Sequence, residues 1–462
     1  MIPTPPTGFE HPHGFDFDFD FWFECGCGQR IQVPAPAYEL QCEGSEPYPK
    51  CGCGTTIDIS EASPSIRDLS DVDHDDEQVD QHVWYHSSTY QDWPAWDAYR
   101  RDIADGLKAS LLEPEKHAEA IDARCSLALH LGTYAAAVEN VMRRMADEDS
   151  PDHEYWLHQV EIRLRPDELS PGVGSELRGM FGAVSAAELA LHRAVRYVNV
   201  HEAAGSISLA IDPQVITRVC TIRLPVVEAV PLVLAGEQAV TLAAADLAAA
   251  ERLRPDTTGV PADQIFDSKW ELHAAQVRGD VDSRAREIVP QMERYRDRQS
   301  EIWSTLERAL VDAYLIDVNP QIRDRLTRVI PKNLEPGRYH ERFRSMAGLL
   351  VRPRTVVEQF ETVLWQHRNH RLTSCSRACS PYAASYSDQW LAGITKVTRR
   401  PSPCGSAEMM LWCSRSGCRP MPSTASATVE LPAPYGSSTS CSADRITGEL
   451  PFCVIGHVTV GR

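Results

Sequence analysis

Two closely spaced cysteine pairs near the start of the sequence are the clearest candidates for chemistry. Cys25 and Cys27 form one pair, Cys51 and Cys53 form the other, and a glycine follows each cysteine. Thiolate pairs on tight turns can close a tetrahedral Zn²⁺ site, and glycine permits the backbone conformation that points amides at sulfur. We therefore predict a zinc site with these four ligands. Its role would be structural, because four cysteines leave no open position for a substrate.

The cysteine pattern resembles a zinc ribbon, although a zinc ribbon usually has at least one pair separated by two residues. Both pairs here are separated by one residue. Cys42 could replace one ligand, and free thiols in a loop-rich segment are the alternative. Disulfides are not expected, because the amino terminus lacks the features of a secretory signal.

A second group of candidates is spread over three strand-like stretches. The stretches are Tyr85-His86-Ser87-Ser88, His130-Leu131-Gly132-Thr133-Tyr134 and Tyr197-Val198-Asn199-Val200-His201-Glu202. They supply a histidine, a tyrosine and a glutamate, which could together line a binding pocket.

Taken together, these three stretches resemble the ADP-ribosyltransferase superfamily. In that family a first strand carries a histidine followed by a small or hydroxyl residue, a later strand carries an aromatic residue, and a third often supplies a glutamate. The resemblance spans residues 85–202, about a quarter of the chain. It implies a split β-sheet, an NAD-binding cleft, and transfer of ADP-ribose from NAD to an acceptor.

The resemblance also implies roles for single residues. His86 would hydrogen-bond a ribose hydroxyl of NAD, Tyr134 would stack on nicotinamide, and Glu202 would stabilise positive charge on the ribose as nicotinamide leaves. The helix that begins after Thr133 would favour a nearby phosphate. Glu161 could be the acid instead of Glu202. The cofactor-binding positions would be Tyr85, Ser87, Ser88, Gly132 and Thr133.

Composition and periodicity divide the chain, and strands that follow mainly early helices favour an α+β fold. The alternation of phenylalanine and aspartate from Phe15 to Phe21 suits a strand with one apolar face. The predicted segments are a Pro- and aromatic-rich start (1–24), a zinc-ribbon-like module (25–60), an acidic linker (61–81), an ADP-ribosyltransferase-like domain (82–230), a helical region (231–372) broken near Pro290, Pro320, Pro331 and Pro336, and a disordered or non-native Ser/Cys-rich tail (373–462).

The charge balance limits the classes of partner. The sequence has 46 Lys and Arg against 65 Asp and Glu, a net charge of −19. This balance argues against a duplex nucleic-acid binder, so nucleic acid would be contacted through the zinc module only. No membrane span and no secretory signal are expected, which favours a cytoplasmic protein without a membrane partner.

The sequence supports ADP-ribosyl transfer to an unknown acceptor, which could be a protein, a nucleic acid or a small molecule. The alternative without catalysis is a zinc-ribbon adaptor whose helices bind a protein partner or whose zinc module binds nucleic acid. A third hypothesis keeps the fold but changes the reaction to NAD hydrolysis or RNA 2′-phosphate removal. The latter would use clustered arginines, and Arg143, Arg144 and Arg196 are the candidates.

Overall fold

The computed structural model describes residues 14–367 with the exception of 60, 109, 111, 150–152, 177–188, 190–191, 226–229, 262–263, 267–268, 280 and 333. All described residues belong to one compact unit. The predictions for residues 1–13 and for the tail from 373 lie outside the described residues.

The fold is α+β, as the sequence predicts. The described strands are β1 (Phe21–Glu24), β2 (Arg30–Val33), β3 (Trp84–Ser88), β4 (Leu129–Leu131), β5 (Tyr155–Ile162), β6 (Leu169–Ser175), β7 (Ala194–Val198), β8 (Ile207–Ile211), β9 (Ile216–Leu224) and β10 (Gln366–His367). The described helices are α1 (Ala35–Cys42), α2 (Trp96–Lys108), α3 (His117–Cys125), α4 (Tyr134–Asp147), α5 (Leu234–Glu251), α6 (Lys269–Arg278), α7 (Ser283–Tyr314), α8 (Pro320–Arg328), α9 (Pro336–Val351) and α10 (Pro353–Glu358).

The Phe/Asp alternation places its rings inside the molecule. Phe17, Phe19 and Phe21 are buried, whereas the intervening aspartates lie at the surface or partly exposed. Only the end of the segment forms a ladder, as β1 against β2. The rest is extended and held by Asn319, whose backbone N–H donates to the Phe17 carbonyl (2.8 Å) and whose side-chain amide donates to the Phe19 carbonyl (3.0 Å). The first segment is therefore packed onto the helical region.

Two four-stranded sheets form the middle of the chain, with strand orders β10-β9-β5-β3 and β4-β8-β7-β6. Neighbouring strands are antiparallel except β6 and β7, which are parallel. A single bridge between Tyr85 and Gly132 links β3 of one sheet to β4 of the other. The two sheets are joined by this bridge, and they also share an apolar cluster to which Trp84 and Val160 contribute from one sheet and Leu131 and Leu209 from the other.

Helix α4 starts where the sequence predicts it and lies against β3. Thr133 caps it, because its Oγ1 accepts the backbone N–H of Ala136 at 3.2 Å. The buried face combines small and large apolar residues, from Ala135 through Val138 to Met142. This face positions the opposite, more polar side of the helix toward the site described below.

The helical region follows the predicted apolar stripe but not one predicted break. Ile302, Leu306, Leu310 and Tyr314 are all buried on α7. Pro290 was expected to end a helix, yet α7 continues through it. An internal proline costs about 3 kcal/mol. The buried apolar residues before and after Pro290 offset that cost. Ala285 and Val289 pack in a small cluster with residues of α6, whereas Ile302 and Leu306 belong to the main core.

Residues 61–81 were predicted to be a solvated acidic linker, but they are packed against the sheets. The Arg196 guanidinium, only 2% exposed, donates to the carbonyls of Asp73 (2.9 Å) and His74 (2.7 Å) and pairs with Asp76. The indole N–H of Trp84 donates to the Val79 carbonyl at 2.9 Å. The many aspartates of this segment led to the prediction of a solvated linker. The prediction was wrong because one buried arginine binds the backbone of the segment and holds it against the sheets.

One apolar core runs from the cysteine-containing turns to the last helices. The cluster includes Phe23 and Cys51 from the start of the chain, Tyr134 from α4, and Phe343 from α9. The predicted module boundaries therefore do not separate independent cores. None of the helices in the described part of the chain combines the length and the apolarity needed to span a bilayer.

Candidate metal centre and candidate active site

The two cysteine pairs lie on two turns of the same geometry. The backbone N–H of Cys25 and that of Cys51 each donate to the carbonyl four residues later, at 2.9 and 2.8 Å. Gly28 and Gly54 donate back to these cysteines' carbonyls, both at 2.8 Å, and have φ angles of +84° and +92°. Only glycine adopts such angles without strain. The second glycine of each Cys-Gly-Cys-Gly sequence is therefore the one the turn requires.

The turns bring four sulfurs together. The Sγ atoms of Cys25 and Cys53 are 3.7 Å apart, those of Cys27 and Cys51 are 3.5 Å apart, and all four lie within 4.8 Å of one another. A tetrahedral metal with bonds of about 2.3 Å separates its sulfur ligands by roughly 3.8 Å. The group can therefore hold a metal ion. Cys42 lies on α1 and is not one of the four.

The second site lies where β3 and β4 separate. Tyr85 and Gly132 exchange two backbone hydrogen bonds, at 2.8 and 2.9 Å. One residue further along β3, the ladder is replaced by a side chain, because Nδ1 of His86 bonds the His130 carbonyl at 2.8 Å. The imidazole of His86 thus lies between β3 and β4, directly beside the Tyr85–Gly132 pair. We call this place, where the two strands part, the split.

The surroundings of His86 fix its protonation state. The indole of Trp93 stacks on its ring at 4.1 Å, and His158 of β5 lies beyond. Burial lowers the pKa of His86 to about 3, so the ring is neutral at physiological pH. Since a carbonyl only accepts hydrogen bonds, the proton is on Nδ1. Nε2 is consequently a hydrogen-bond acceptor.

A chain of polar side chains connects β3 to Glu202. The Ser87 hydroxyl donates to the Asn140 carbonyl oxygen (3.0 Å), and the Asn140 amide donates to Oε1 of Glu202 (3.3 Å). Nε of Arg143 donates to the same oxygen at 2.5 Å. Asn140 and Arg143 lie three residues apart on α4, which places them on one side of the helix. Glu202, in the loop between β7 and β8, is therefore held by one of its two oxygens.

Two further residues border this network. The Tyr197 hydroxyl lies 2.9 Å from Nδ1 of His130. Burial raises the pKa of Tyr197, and the charges of Glu176 and Glu202 raise it further. Burial also raises the pKa of Glu176, whose Oε2 accepts the Val200 N–H at 2.6 Å. Two carboxyl groups and a tyrosine therefore lie near one another beside the split.

Tyr134, the predicted partner for nicotinamide, lies in the core instead. Its ring is 0% exposed and makes edge contacts with Phe15, Phe17 and Tyr85, and its hydroxyl donates to the Leu349 carbonyl at 3.0 Å. No face of the ring is open to a ligand. The stacking role does not fit this position, because the first turn of α4 points into the core and not into the split.

The other cofactor-binding candidates also make internal contacts. The N–H of Ala135 donates to the Gly14 carbonyl at 2.9 Å, so the start of α4 beyond Thr133 is already capped by the N-terminal segment. A Cβ on Gly132 would lie 2.8 Å from Oγ of Ser208, which makes glycine necessary for packing. The Ser88 hydroxyl accepts the N–H of Tyr90 at 3.0 Å. Tyr85 is only 2% exposed.

The alternative acid and the candidate phosphate-binding arginines are all paired. Glu161 pairs with Arg218 on β9. Arg143 pairs with Glu202 and Glu148, whereas Arg144 pairs with Glu148 and Asp149. Arg196 is enclosed by residues 73–76, as described above. The three arginines do not converge on one open position.

A cavity of about 250 Å³ lies next to this region but not in the split. Its lining is mixed in charge, because it includes Asp16 and Asp68 as well as Arg67, and Thr133 and Gly205 also line it. Neither His86 nor Glu202 lines it.

Ser87 and Glu202 are joined through Asn140, whereas His86 lies on the opposite face of β3 and contacts His130, Trp93 and His158. Tyr197 belongs to a stretch that the sequence singled out, but Trp93, Asn140 and Glu176 were missed. The one available signal was the i, i+3 spacing of Asn140 and Arg143 on a predicted helix. No protein-family model, no curated protein and no solved structure matches this chain.

Proposed function

We propose that this protein is an NAD-consuming ADP-ribosyltransferase whose reaction takes place at the split between β3 and β4. The observation that carries the proposal is His86, held by the His130 carbonyl at the point where the two strands part. Its Nε2 is an acceptor at neutral pH and can receive a hydrogen bond from a ribose hydroxyl. A split sheet with a histidine at its opening is what the resemblance to this family implies.

Glu202 supplies the charge that the reaction needs. Arg143 and Asn140 both bind Oε1, so Oε2 is the oxygen that can face a ligand. Departure of nicotinamide leaves an oxocarbenium-like ribose, and a fixed carboxylate stabilises that positive charge. Because Asn140 also binds Ser87, the carboxylate position is coupled to β3. Glu176, at the edge of the same region, is the group that could accept a proton from the acceptor.

We propose zinc as the ion of the four-cysteine group. Four thiolates at these separations match a structural Zn²⁺ site, and such a site contributes to folding. The cysteine turns share a core with α4 and α9, so the metal would stabilise the region that supports the split.

The test is to incubate the full chain with NAD labelled in the nicotinamide ring and follow nicotinamide release. The wild-type protein is expected to release nicotinamide, and His86→Ala and Glu202→Ala are each expected to lower the rate by about 100-fold or more. His153→Ala and Glu154→Ala are matched controls at positions away from the split, and they should keep the wild-type rate.

A second outcome would contradict the proposed reaction. Folded, metal-loaded protein that neither binds NAD nor releases nicotinamide would contradict the proposal and favour a non-enzymatic adaptor. RNA 2′-phosphate removal receives no support, because Arg143, Arg144 and Arg196 are each paired with acidic groups and do not surround an open site.

A further inference from the structure

Helix α5 is covered on one side by other helices, whereas its other side, which carries several apolar residues, is exposed within the described part of the chain. Gly236, Ala243 and Ala250 are buried against α7 and α9. A Cβ on Gly236 would lie 2.8 Å from the Tyr314 ring, so α5 approaches its neighbours closely. The exposed residues of the helix are leucine, alanine, threonine and glutamine together with the acidic Glu237, Asp246 and Glu251. Leu234 and Leu242 are each 67% exposed, which is unusual for two leucines on one helix face.

One stripe along the side of α5 away from its neighbours has a symmetric spacing. Its residues follow one another at intervals of four, four, three, four and four, and they are Leu234, Gln238, Leu242, Ala245, Ala249 and Leu253. All six are exposed except Ala249, which is half-buried. Leu253, just beyond the end of the helix, is 77% exposed. Read from either end, the stripe has the same spacing. An antiparallel copy of α5 would therefore meet it residue for residue.

The side chains fit this antiparallel register. Leu242 would lie opposite Ala245 of the second copy, and Gln238 opposite Ala249, so that a large residue faces a small one at each position. Leu234 would meet Leu253 at both ends. A two-fold interface requires this kind of self-complementarity, because each residue must fit its own counterpart.

The charges at the two ends of α5 favour the same orientation. Glu237 is exposed in the first turn, and Arg252 is exposed directly after the helix. Antiparallel packing brings Glu237 of one copy to Arg252 of the other, whereas parallel packing would place like charges together. Antiparallel helices also oppose their dipoles favourably.

We propose that the exposed face of α5 is a homodimer interface in which two copies pack antiparallel about a two-fold axis between residues 243 and 244. A helix of 18 residues is about 27 Å long and presents one narrow stripe. This is smaller than the roughly 800 Å² per partner of a standard stable interface. The dimer is therefore weak and depends on protein concentration. The inference does not depend on the proposed reaction.

Sedimentation velocity on the full chain across a range of concentrations tests the interface. The wild type is expected to shift from monomer to dimer as concentration rises. Leu242→Glu should weaken the dimer by at least about tenfold, because it places a charge in the apolar stripe beside its own copy. Leu69→Glu is the matched control, since Leu69 is 62% exposed and far from α5 in sequence.

The register is tested by a compensating change. Adding Ala245→Lys to Leu242→Glu places opposite charges across the two-fold axis, so the double variant should regain dimer formation to within about threefold of wild type. A wild type that stays monomeric at all concentrations would overturn the proposal. So would a dimer insensitive to Leu242→Glu, or a double variant that fails to recover while circular dichroism shows all variants folded.

Discussion

The cysteine group and the split between β3 and β4 both join residues that are distant in sequence, but they are built differently. The cysteine group consists of two copies of one local turn, each closed by its own backbone bonds and its own positive-φ glycine. The split draws on β3, β4, α4 and the β7–β8 loop, so its key side chains come from four different parts of the chain. The first site depends on local geometry and the second on the packing of the whole domain.

This difference predicts how each site fails. A locally built metal site should lose its function and its fold together when one ligand is removed. A site assembled from several elements should tolerate single changes in stability while losing the alignment on which chemistry depends. Variants at the two sites can therefore separate folding from function.

The largest effect is expected for Cys51→Ser. The variant should lose its bound metal and lower the melting temperature by about 10 °C or more, because the cysteine turns share the main core and structural zinc contributes directly to folding. Metal content and a thermal melt measure both effects. Cys42→Ser is the control and should retain one metal per chain; loss of metal from Cys42→Ser, or a metal-free wild type, would contradict the four-ligand assignment.

The next effect concerns the alignment of Glu202. Arg143→Leu removes one of the two groups that hold Oε1, so nicotinamide release should fall by about 10- to 100-fold while the melting temperature changes little. Arg144→Leu, one residue along the same helix, removes the pairs with Glu148 and Asp149 and a cation–π contact with Tyr155 but no contact with Glu202, so it should keep most of the activity. Equal losses in both variants would mean that Arg143 has no specific positioning role.

A smaller effect on stability is expected at Tyr134, and it distinguishes a role in the core from a role in binding NAD. Tyr134→Phe deletes the hydroxyl that bonds the Leu349 carbonyl, and it should destabilise the protein by about 1 kcal/mol because a buried hydrogen bond is lost. The KM for NAD should be unchanged. Chemical denaturation and steady-state kinetics give the two values. A raised KM would return Tyr134 to the nicotinamide pocket that the resemblance implies.

The last effect is absent at neutral pH and appears only in acid, as a dependence of stability on pH through His86. Its folded pKa of about 3 lies below the unfolded value of about 6.5. Between these values the unfolded chain binds the proton and the folded protein does not, so stability falls as the pH drops from about 6.5 toward 3. His86→Gln should flatten part of this fall in denaturation curves. An unchanged curve would mean that the pKa of His86 in the folded protein is close to its value in the unfolded chain.

The same contrast between locally and remotely determined sites explains which features of the fold and of the candidate sites the sequence predicts. The cysteine group, the Thr133 cap and the buried stripe on α7 depend on spacings within one element, and their patterns predicted them. Tyr134 was misplaced because its environment is set by Phe15 and Leu349, more than one hundred residues away on either side. The acidic segment was misjudged because a single distant arginine, Arg196, binds its backbone. Long-range contacts of this kind leave no local period in the sequence.

The position of the N-terminal strand has a consequence for the order of folding during synthesis. Phe17 and Phe19 are bound by Asn319, about three hundred residues later in the chain. At translation rates of roughly 5–20 residues per second, their partner emerges on the order of 15–60 s after them. Tyr134, Phe21 and Arg67 also contact these rings and emerge much earlier, so part of the native surroundings forms first. The contact with the helical region forms late in synthesis, and until then this aromatic segment is one that a chaperone would have reason to hold.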